Sequence, residues 1–293
     1  SMRITRTSSP YLDSILGLQH KVLDHGFVRV IDYMGDDSAI VQAARVSYGA
    51  GTKAVSDDRG LIRYLMRKAH TSPLEMAEIK LHCKLPIFVA RQWIRHRTAN
   101  VNELSARYSI LNSEFYIPEL DRIAGQSLTN KQGSGAVIAK VNADIVRQEL
   151  ITHSEKAAEL YELLLNENDD GVRTFADRPQ VARETARMAL TLNTYTEWYW
   201  KIDLHNLLHF LGLRKDGHAQ SEIRSYADVI FEMVKGWVPS CAEAFEDYKL
   251  HALTLSRMEA DAVRGLLAGN VPQVPGLSKR EQAEFEQKLG AMR

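Results

Sequence analysis

The chain has 293 residues, of which 45% are hydrophobic and 25% are charged. These are ordinary values for a folded globular protein, and they predict a sizeable buried core. The 37 basic and 37 acidic side chains cancel to a formal net charge of zero, which gives no reason to expect a nucleic-acid or membrane-surface partner.

Two further features narrow the class of protein. No stretch approaches the roughly 18 apolar residues that a membrane-spanning helix needs, so we expect no membrane insertion. The two cysteines, Cys83 and Cys241, lie far apart and lack the spacing of metal ligands or of a disulfide scaffold. A reducing, cytoplasmic setting is therefore expected.

The first third of the chain predicts alternating strands and helices. A strand is expected at about Phe27–Met34, followed by helices in "AIVQAARVS" and "DDRGLIRYLMRKAH". In "EIKLHCKLP" apolar residues alternate strictly with polar ones, which is the strongest strand signal in the sequence. Pro86 then favours the start of a helix in "PIFVARQWIRH".

The remainder is predicted to be largely helical. After a polar, irregular segment in "TANVNELSARYS", a short strand is expected in "EFYIP" and a helix from Gly135 to about Leu165. Further helices are expected in "PQVARETARMALTL", in "HAQSEIRSYADVIFEMVKGW" and in the charged tail. One α/β domain with a helical C-terminal appendage is the simplest interpretation, and two domains divided near residues 129–135 are the alternative.

Positive charge is concentrated in one short segment. Four arginines, Arg91, Arg95, Arg97 and Arg107, surround His96, with Asn100, Asn102, Glu103 and Ser105 among them. Guanidinium groups form planar forks that suit phosphates and the edges of planar heterocycles. The segment therefore predicts a site for a phosphorylated heterocycle. The alternative is an exposed basic helix end that meets acidic side chains elsewhere.

Other motifs carry less weight. Neither the G-x-G-x-x-G nor the G-x-x-x-x-G-K-[ST] phosphate-binding pattern is present, and "QGSGAV" is interpreted as a turn. His205 and His209 lie four residues apart after Asp203, a spacing that could hold a metal. Apolar neighbours favour half-buried, hydrogen-bonded histidines instead, and no metal is expected.

The pattern Arg-His-Arg, seven residues, then Ser resembles the signature of the flavin-dependent thymidylate synthases, the ThyX family. It is formed here by Arg95, His96, Arg97 and Ser105 in "RHRTANVNELS". The segments "AARVSYG", "HTSPLE", "RETARMALTLN", "LLHFLGLR" and "HAQSEI" resemble other family blocks, in the same order. The resemblance runs from about Gly26 to Tyr248, which divides the chain into an N-terminal extension (1–25), a synthase domain (26–250) and a helical appendage (251–293).

The resemblance implies a methyltransferase that makes thymidylate from deoxyuridylate (dUMP). The carbon comes from 5,10-methylenetetrahydrofolate, and the electrons come from NADPH by way of FAD. It also implies a central, mostly antiparallel sheet flanked by helices, and a homotetramer with active sites shared between subunits. The anionic ligands of such an enzyme would account for a basic site in a neutral protein.

Family motifs also suggest which residues bind each ligand. The FAD set is Ser47, Ser72, Arg95, His96, Arg97, Thr98, Glu103, Asp203, Leu204, His205 and His209. The substrate set is Gln92, Arg95, Glu103, Leu104, Ser105, Ala106, Arg107, Arg187 and Arg214. Arg214 is placed against the uracil ring, and Arg187 in a neighbouring subunit's pocket. Many family members have Asn at the positions of Asp203 and His209.

Arg214 and Ser105 are the candidate catalytic residues. Neither cysteine is placed as a nucleophile, and an unassisted serine hydroxyl is a poor one at neutral pH. We therefore expect Arg214 to stabilise negative charge on the uracil ring, with Ser105 mainly positioning the substrate. The alternative from another class is a non-catalytic nucleotide-binding or RNA-binding protein that uses the same arginines and stacks bases on Trp93.

Overall fold

A computed structural model of the chain describes residues 3–46, 58–106, 113–128, 133–271 and 274–293. Within these ranges the strands are β1 (His20–Val22), β2 (Gly26–Met34), β3 (Glu78–Pro86), β4 (Asn100–Glu103), β5 (Ala124–Gln126), β6 (Ser134–Val137) and β7 (Tyr195–Asp203). The helices are α1 (Pro10–Ile15), α2 (Asp37–Val46), α3 (Asp58–Arg67), α4 (Ile87–Trp93), α5 (Lys140–Leu165), α6 (Arg183–Ala186), α7 (Leu204–Arg214), α8 (Ser221–Trp237), α9 (Pro239–Phe245), α10 (Arg257–Leu267) and α11 (Lys279–Met292). The chain forms two compact units, residues 1–245 and residues 246–293.

An antiparallel sheet in the order β1-β2-β3-β7-β4 lies at the centre of the first unit. Strand β3 lies in the middle of this sheet, and its alternating apolar residues are buried on one face while the intervening polar residues are partly exposed on the other. The predicted fold class, a mostly antiparallel sheet flanked by helices, is confirmed. The strand expected at Phe27–Met34 is also confirmed, and it begins one residue earlier at Gly26.

Aromatic side chains fill the core between the sheet and its helices. Trp93 of α4 contacts Trp198 and Trp200 of β7 edge to face, at ring distances of 5.4 and 5.1 Å. The Trp93 ring also stacks on Phe210 of α7 at 5.0 Å. All four rings are almost completely buried, so this cluster fixes the end of α4 and the middle of α7 against the same strand.

Four local predictions were wrong. The helix expected from Gly135 begins only at Lys140, because Gly135 lies in strand β6. The polar segment after Thr98 contains strand β4, which pairs through its backbone with β7. "EFYIP" makes only an isolated bridge at Phe115, and the Ile117 N–H donates to the Asp24 carboxylate at 3.0 Å instead of continuing a ladder. "PQVARETARMALTL" forms only the short helix α6 and one 3₁₀ turn, Arg187–Ala189. Ala186 at the end of α6 is the buried side chain of these two elements.

The second unit is a small helical structure with well-formed helix starts. Ser256 caps α10 and Ser278 caps α11, each in a reciprocal capping box with a glutamate three residues later. Lys288 of α11 contacts both carboxylate oxygens of Glu259 at 2.9 and 2.8 Å, which connects the two helices. The expected division at residues 25 and 250 stays a prediction.

Candidate active site

The Arg-His-Arg segment begins where α4 ends. Pro86 occupies the N-cap position of α4, and Ile94 closes the helix by donating its N–H to the Ala90 carbonyl at 2.9 Å. His96 N–H then donates to the Trp93 carbonyl at 3.0 Å, which tightens the turn. With Trp93 buried as the anchor, Arg95 and Arg97 are exposed and His96 is half-buried.

Helix α7 brings Arg214 to the same place. Arg214 is the last residue of α7, and its Nε donates to Nε2 of His96 at 3.0 Å, while an Nη group lies 3.5 Å from the Gln92 carbonyl. The His96 ring also contacts Phe210 edge to face at 4.9 Å and lies 6.2 Å from the ring of His209. Two segments that are more than 100 residues apart in sequence therefore meet in one cluster.

The electrostatics of this cluster favour a neutral histidine. Burial, and then the nearby Arg214 and His209, lower the pKa of His96 from 6.5 to about 4. Neutral His96 accepts a hydrogen bond from the Arg214 Nε–H at Nε2. The one ring hydrogen of His96 is therefore on Nδ1. Burial also lowers the pKa of Arg214 from its usual value.

The "HTSPLE" motif lies beside the start of α7. Ser72 is the exposed first residue of a 3₁₀ turn, Ser72–Met76, and the Ala77 carbonyl that follows accepts the Leu204 N–H at 2.9 Å. Asp203 caps α7 by accepting from the Asn206 backbone at 3.0 Å and from its side-chain amide at 2.7 Å. Leu204 is 0% exposed and has no surface for a ligand in this chain.

The predicted substrate segment lies along the edge strand β4. Glu103 pairs with Trp198 of β7, and Leu104 extends the ladder by donating its N–H to the Glu197 carbonyl at 2.9 Å. The Glu103 carboxylate accepts a hydrogen bond from the Thr196 hydroxyl at 2.9 Å. Ser105 and Ala106 follow directly and are half-buried.

A cavity of about 280 Å³ adjoins this segment and contains residues that the motifs did not indicate. Its lining is His82, Asn102, Glu103, Leu104, Glu197, Trp198 and Tyr199. Nε of Arg29 donates to Nδ1 of His82 at 2.8 Å, and Nε2 of His82 lies 2.9 Å from Glu197. Desolvation and Arg29 lower the pKa of His82 despite the opposing effect of Glu197. The strict alternation in β3 already assigned His82 to the polar face.

Three arginines of the basic segment have no acidic partner within the described residues. Arg91, Arg95 and Arg97 make no ion pair there, whereas Arg183 pairs with Glu167 and Arg264 with Asp261. The alternative of a basic helix end neutralised by nearby carboxylates is therefore not what the described part of the chain contains. Exposed guanidiniums beside a half-buried Arg214 are donors suited to phosphates and to a flavin pyrophosphate.

Comparison with known proteins agrees with this chemistry. Residues 29–240 match the family model described as thymidylate synthase complementing protein. The chain belongs to this family.

Curated relatives in the family extend over nearly the whole chain. The flavin-dependent thymidylate synthase of Ruegeria pomeroyi is 54% identical over 287 residues, which is 97% of this chain and 92% of that protein. That of Gluconobacter oxydans is 55% identical over 283 residues, 96% of this chain and 90% of that protein. At these coverages both matches extend beyond residue 250 of this chain.

Solved structures agree with the fold. The UMP/dUMP methylase PolB from Streptomyces cacaoi, bound with 5-Br UMP, has a TM-score of 0.66 and 32% sequence identity. The match covers 78% of this chain and 97% of PolB. The antiparallel sheet and the helices on it are therefore shared with an enzyme that acts on a pyrimidine nucleotide.

Among the residues that the structure describes, the predicted site residues do not all meet in one cluster. Gln92, His96 and Arg214 come together, and Ser72 lies at the opposite end of α7. Arg187 is exposed on the turn after α6, where its Nε donates to the Glu184 carbonyl at 3.2 Å, and no described contact joins it to the Arg214 cluster. Ser47 and Arg107 lie outside the described residues.

The structure also bears on the alternatives. Trp93 is 0% exposed, so the alternative in which Trp93 stacks on nucleic-acid bases was wrong. Among the described residues, no three His, Cys, Asp or Glu side chains are close enough to hold a metal ion, and Asp203 is used as a helix cap. No helix in the described ranges has the length and apolar content needed to cross a bilayer.

Proposed function

We propose that this chain is a flavin-dependent thymidylate synthase that methylates dUMP on carbon 5 of the uracil ring. The carbon donor is 5,10-methylenetetrahydrofolate, and the reductant is NADPH. The observation that carries the proposal is Arg214, half-buried and hydrogen-bonded to a neutral His96, beside arginines that have no acidic partner in the described chain. Family membership and the dUMP-methylase structural relatives support the same reaction.

FAD fits the donors around α4 and α7. The residues proposed to hold it are Ser72, Arg95, His96, Arg97, Thr98, Glu103, His205 and His209, with Ser47 in addition. When bound and reduced by NADPH, FAD would supply the hydride that completes the methyl group. The exposed Arg95 and Arg97 offer charge-assisted hydrogen bonds to phosphate, and the Ser72 hydroxyl offers a neutral one. Asp203 contributes indirectly, because it fixes the first turn of α7.

Arg214 activates the substrate in this proposal. Carbon 5 of uracil becomes nucleophilic as negative charge develops on the ring, and a preoriented guanidinium stabilises that charge. His96 fixes the guanidinium through Nε, and one terminal nitrogen lies 3.5 Å from the Gln92 carbonyl, which leaves the other terminal nitrogen to face the substrate. Partial burial strengthens this interaction because fewer water molecules compete for the charge.

No thiolate takes part. Cys83 and Cys241 are both fully buried, and burial raises the pKa of each thiol well above its usual value. Ser105 follows Glu103 and Leu104 on the substrate segment, and we assign it a positioning role. Gln92, Ala106 and Arg107 complete the proposed dUMP contacts within one subunit.

The active site is completed by a second subunit. Arg187 belongs to the substrate set, but it lies on a turn with no described contact to the Arg214 cluster. A homotetramer with shared sites supplies it from a neighbour. Exposed apolar side chains on α5, including Val141 and Ile145, give such an assembly a surface to bury. The cytoplasmic location stays a prediction.

The absorbance spectrum of the purified protein tests the function. We expect a yellow protein whose flavin bands bleach with NADPH under anaerobic conditions. Adding dUMP and methylenetetrahydrofolate together should restore the oxidised spectrum and form one thymidylate per flavin reoxidised. Omitting dUMP is the matched control. A colourless protein that cannot be reconstituted with FAD and binds RNA with steep salt dependence would contradict the proposal.

A further inference from the structure

The buried hydroxyl of Thr196 holds the carboxylate of Glu103 in place. Thr196 belongs to β7 and is 3% exposed, while Glu103 is exposed at the end of the edge strand β4. The Thr196 Oγ1 donates to Glu103 Oε1 over 2.9 Å. A hydroxyl has one proton to donate, so this bond fully uses the donor of a buried polar group.

The position of the substrate segment depends on β7. In the described sheet, β4 is a four-residue edge strand whose one neighbour is β7. The hydrogen bond from the Leu104 N–H to the Glu197 carbonyl continues the backbone ladder one residue beyond β4. Ser105 is the next residue in the chain. The Thr196 side chain adds a contact to this short ladder at the point where the segment leaves the sheet.

The carboxylate keeps one oxygen for a ligand. Within the described residues, Glu103 accepts its one hydrogen bond at Oε1, and Oε2 has no donor there. An exposed glutamate otherwise samples many rotamers, and a ligand that binds only one of them must offset the conformational entropy that the side chain loses. A buried neutral donor restrains the Glu103 side chain. It adds no charge that would compete with the arginines for the ligand.

We propose that Thr196 is a positioning residue for dUMP binding that acts through Glu103. This inference rests on the proposed function, because it takes Glu103 to be a dUMP contact. Thr196 itself is buried beneath the segment and does not touch the ligand. Thr196 lies outside the family motifs of this chain, and its role follows from the Thr196–Glu103 hydrogen bond.

Thr196→Val tests the proposal because it keeps the branched shape and removes only the hydroxyl. On the FAD-loaded enzyme we expect the Kd for dUMP, measured by calorimetry, to rise about tenfold, the size of one hydrogen bond to a charged group. The KM for dUMP should rise similarly while kcat changes by less than about twofold. Thr196→Ser, which retains the donor, should stay within about threefold of the wild-type Kd. Thr196→Ala replaces Thr196→Val if the latter does not fold.

A double-mutant cycle with Glu103→Ala separates the positioning role from a general structural one. If Thr196 acts through Glu103, Thr196→Val should have no further effect on the dUMP Kd in the Glu103→Ala background. Wild-type affinity in Thr196→Val, or an undiminished effect in the Glu103→Ala background, would overturn the proposal. Failure of the proposed function looks different, since the wild-type chain would then neither bind dUMP nor form thymidylate.

Discussion

Nε of Arg214 lies 3.0 Å from Nε2 of His96, and this single hydrogen bond joins the end of α7 to the centre of the Arg-His-Arg segment. The bond needs a neutral imidazole, because a protonated ring would present a second donor to the guanidinium. The aromatic cluster of Trp93 and Phe210 fixes both partners from beneath. A neutral histidine thus orients a permanent positive charge at the surface of a hydrophobic core.

Arg214→Lys should lower kcat much more than it weakens dUMP binding. Lysine keeps the positive charge but cannot both bond to His96 and present a planar fork to the ring. Loss of one preorganised donor to developing charge typically lowers kcat by about 100- to 1000-fold. Steady-state kinetics and dUMP calorimetry on the FAD-loaded enzyme would measure this. Arg264→Lys, on an exposed residue paired with Asp261, is the control, and a similar loss there would contradict the assignment.

His96 should make the protein less stable in mild acid. Its pKa is about 4 in the folded chain against 6.5 for an ordinary histidine, so unfolded chains bind the proton more readily between these values. The stability that His96 contributes is complete above about pH 6.5 and is lost as the pH falls toward 4.

Urea unfolding between pH 4 and pH 7 measures this effect. His96→Gln cannot titrate, so its unfolding free energy should fall less steeply with acid than that of the wild-type chain. His251→Gln, at an exposed histidine of the second unit, removes a histidine without touching the cluster. Parallel pH profiles for the wild type and His96→Gln would show that the His96 pKa is not lowered.

Much of the fold could be predicted because burial follows the pattern of the sequence. The strict alternation of β3 gave its limits at Glu78 and Pro86 without error. Strand β4 could not be found in this way, since its four residues are polar or only partly buried and its pairing depends on β7. Gly135 was assigned to a helix, but it lies in β6, which pairs with β5. Tertiary pairing overrides local propensity in both cases.

The candidate site was likewise predictable only where its residues are close together in sequence. Arg95, His96 and Arg97 were recognisable because the family signature is contiguous in the chain. The Arg214–His96 bond and the Thr196–Glu103 bond were not, because each joins residues that are distant in sequence. His82 was correctly expected on the polar face of β3, but its partners Arg29 and Glu197 come from other strands. Sequence patterns identify reactive side chains, whereas the sheet register determines which of them meet.

Replacing both cysteines should leave turnover largely intact. Cys83 and Cys241 have no exposed surface, and their raised pKa values keep both thiols protonated at neutral pH. The double variant Cys83→Ala/Cys241→Ala should lose about 1 to 3 kcal/mol of stability through the packing defects. Thymidylate formation at 20 °C should remain within about threefold of wild type. Complete loss of activity in a folded, FAD-loaded double variant would indicate a cysteine nucleophile.

Arg187 and Arg214 should complement each other when they are placed on different chains. Arg187→Ala and Arg214→Ala are each expected to be inactive as pure proteins. If each site takes Arg187 from a neighbour, randomly mixed tetramers should regain activity at about a quarter of their sites. His96→Ala mixed with Arg214→Ala is the matched control, because these two side chains are bonded within one chain and should not complement. No recovery in the test mixture would place Arg187 and Arg214 in sites of the same subunit, since only residues contributed by different subunits can be restored by mixing. Recovery in the control would show that His96 and Arg214 are supplied by different subunits, against the bond between them within one chain.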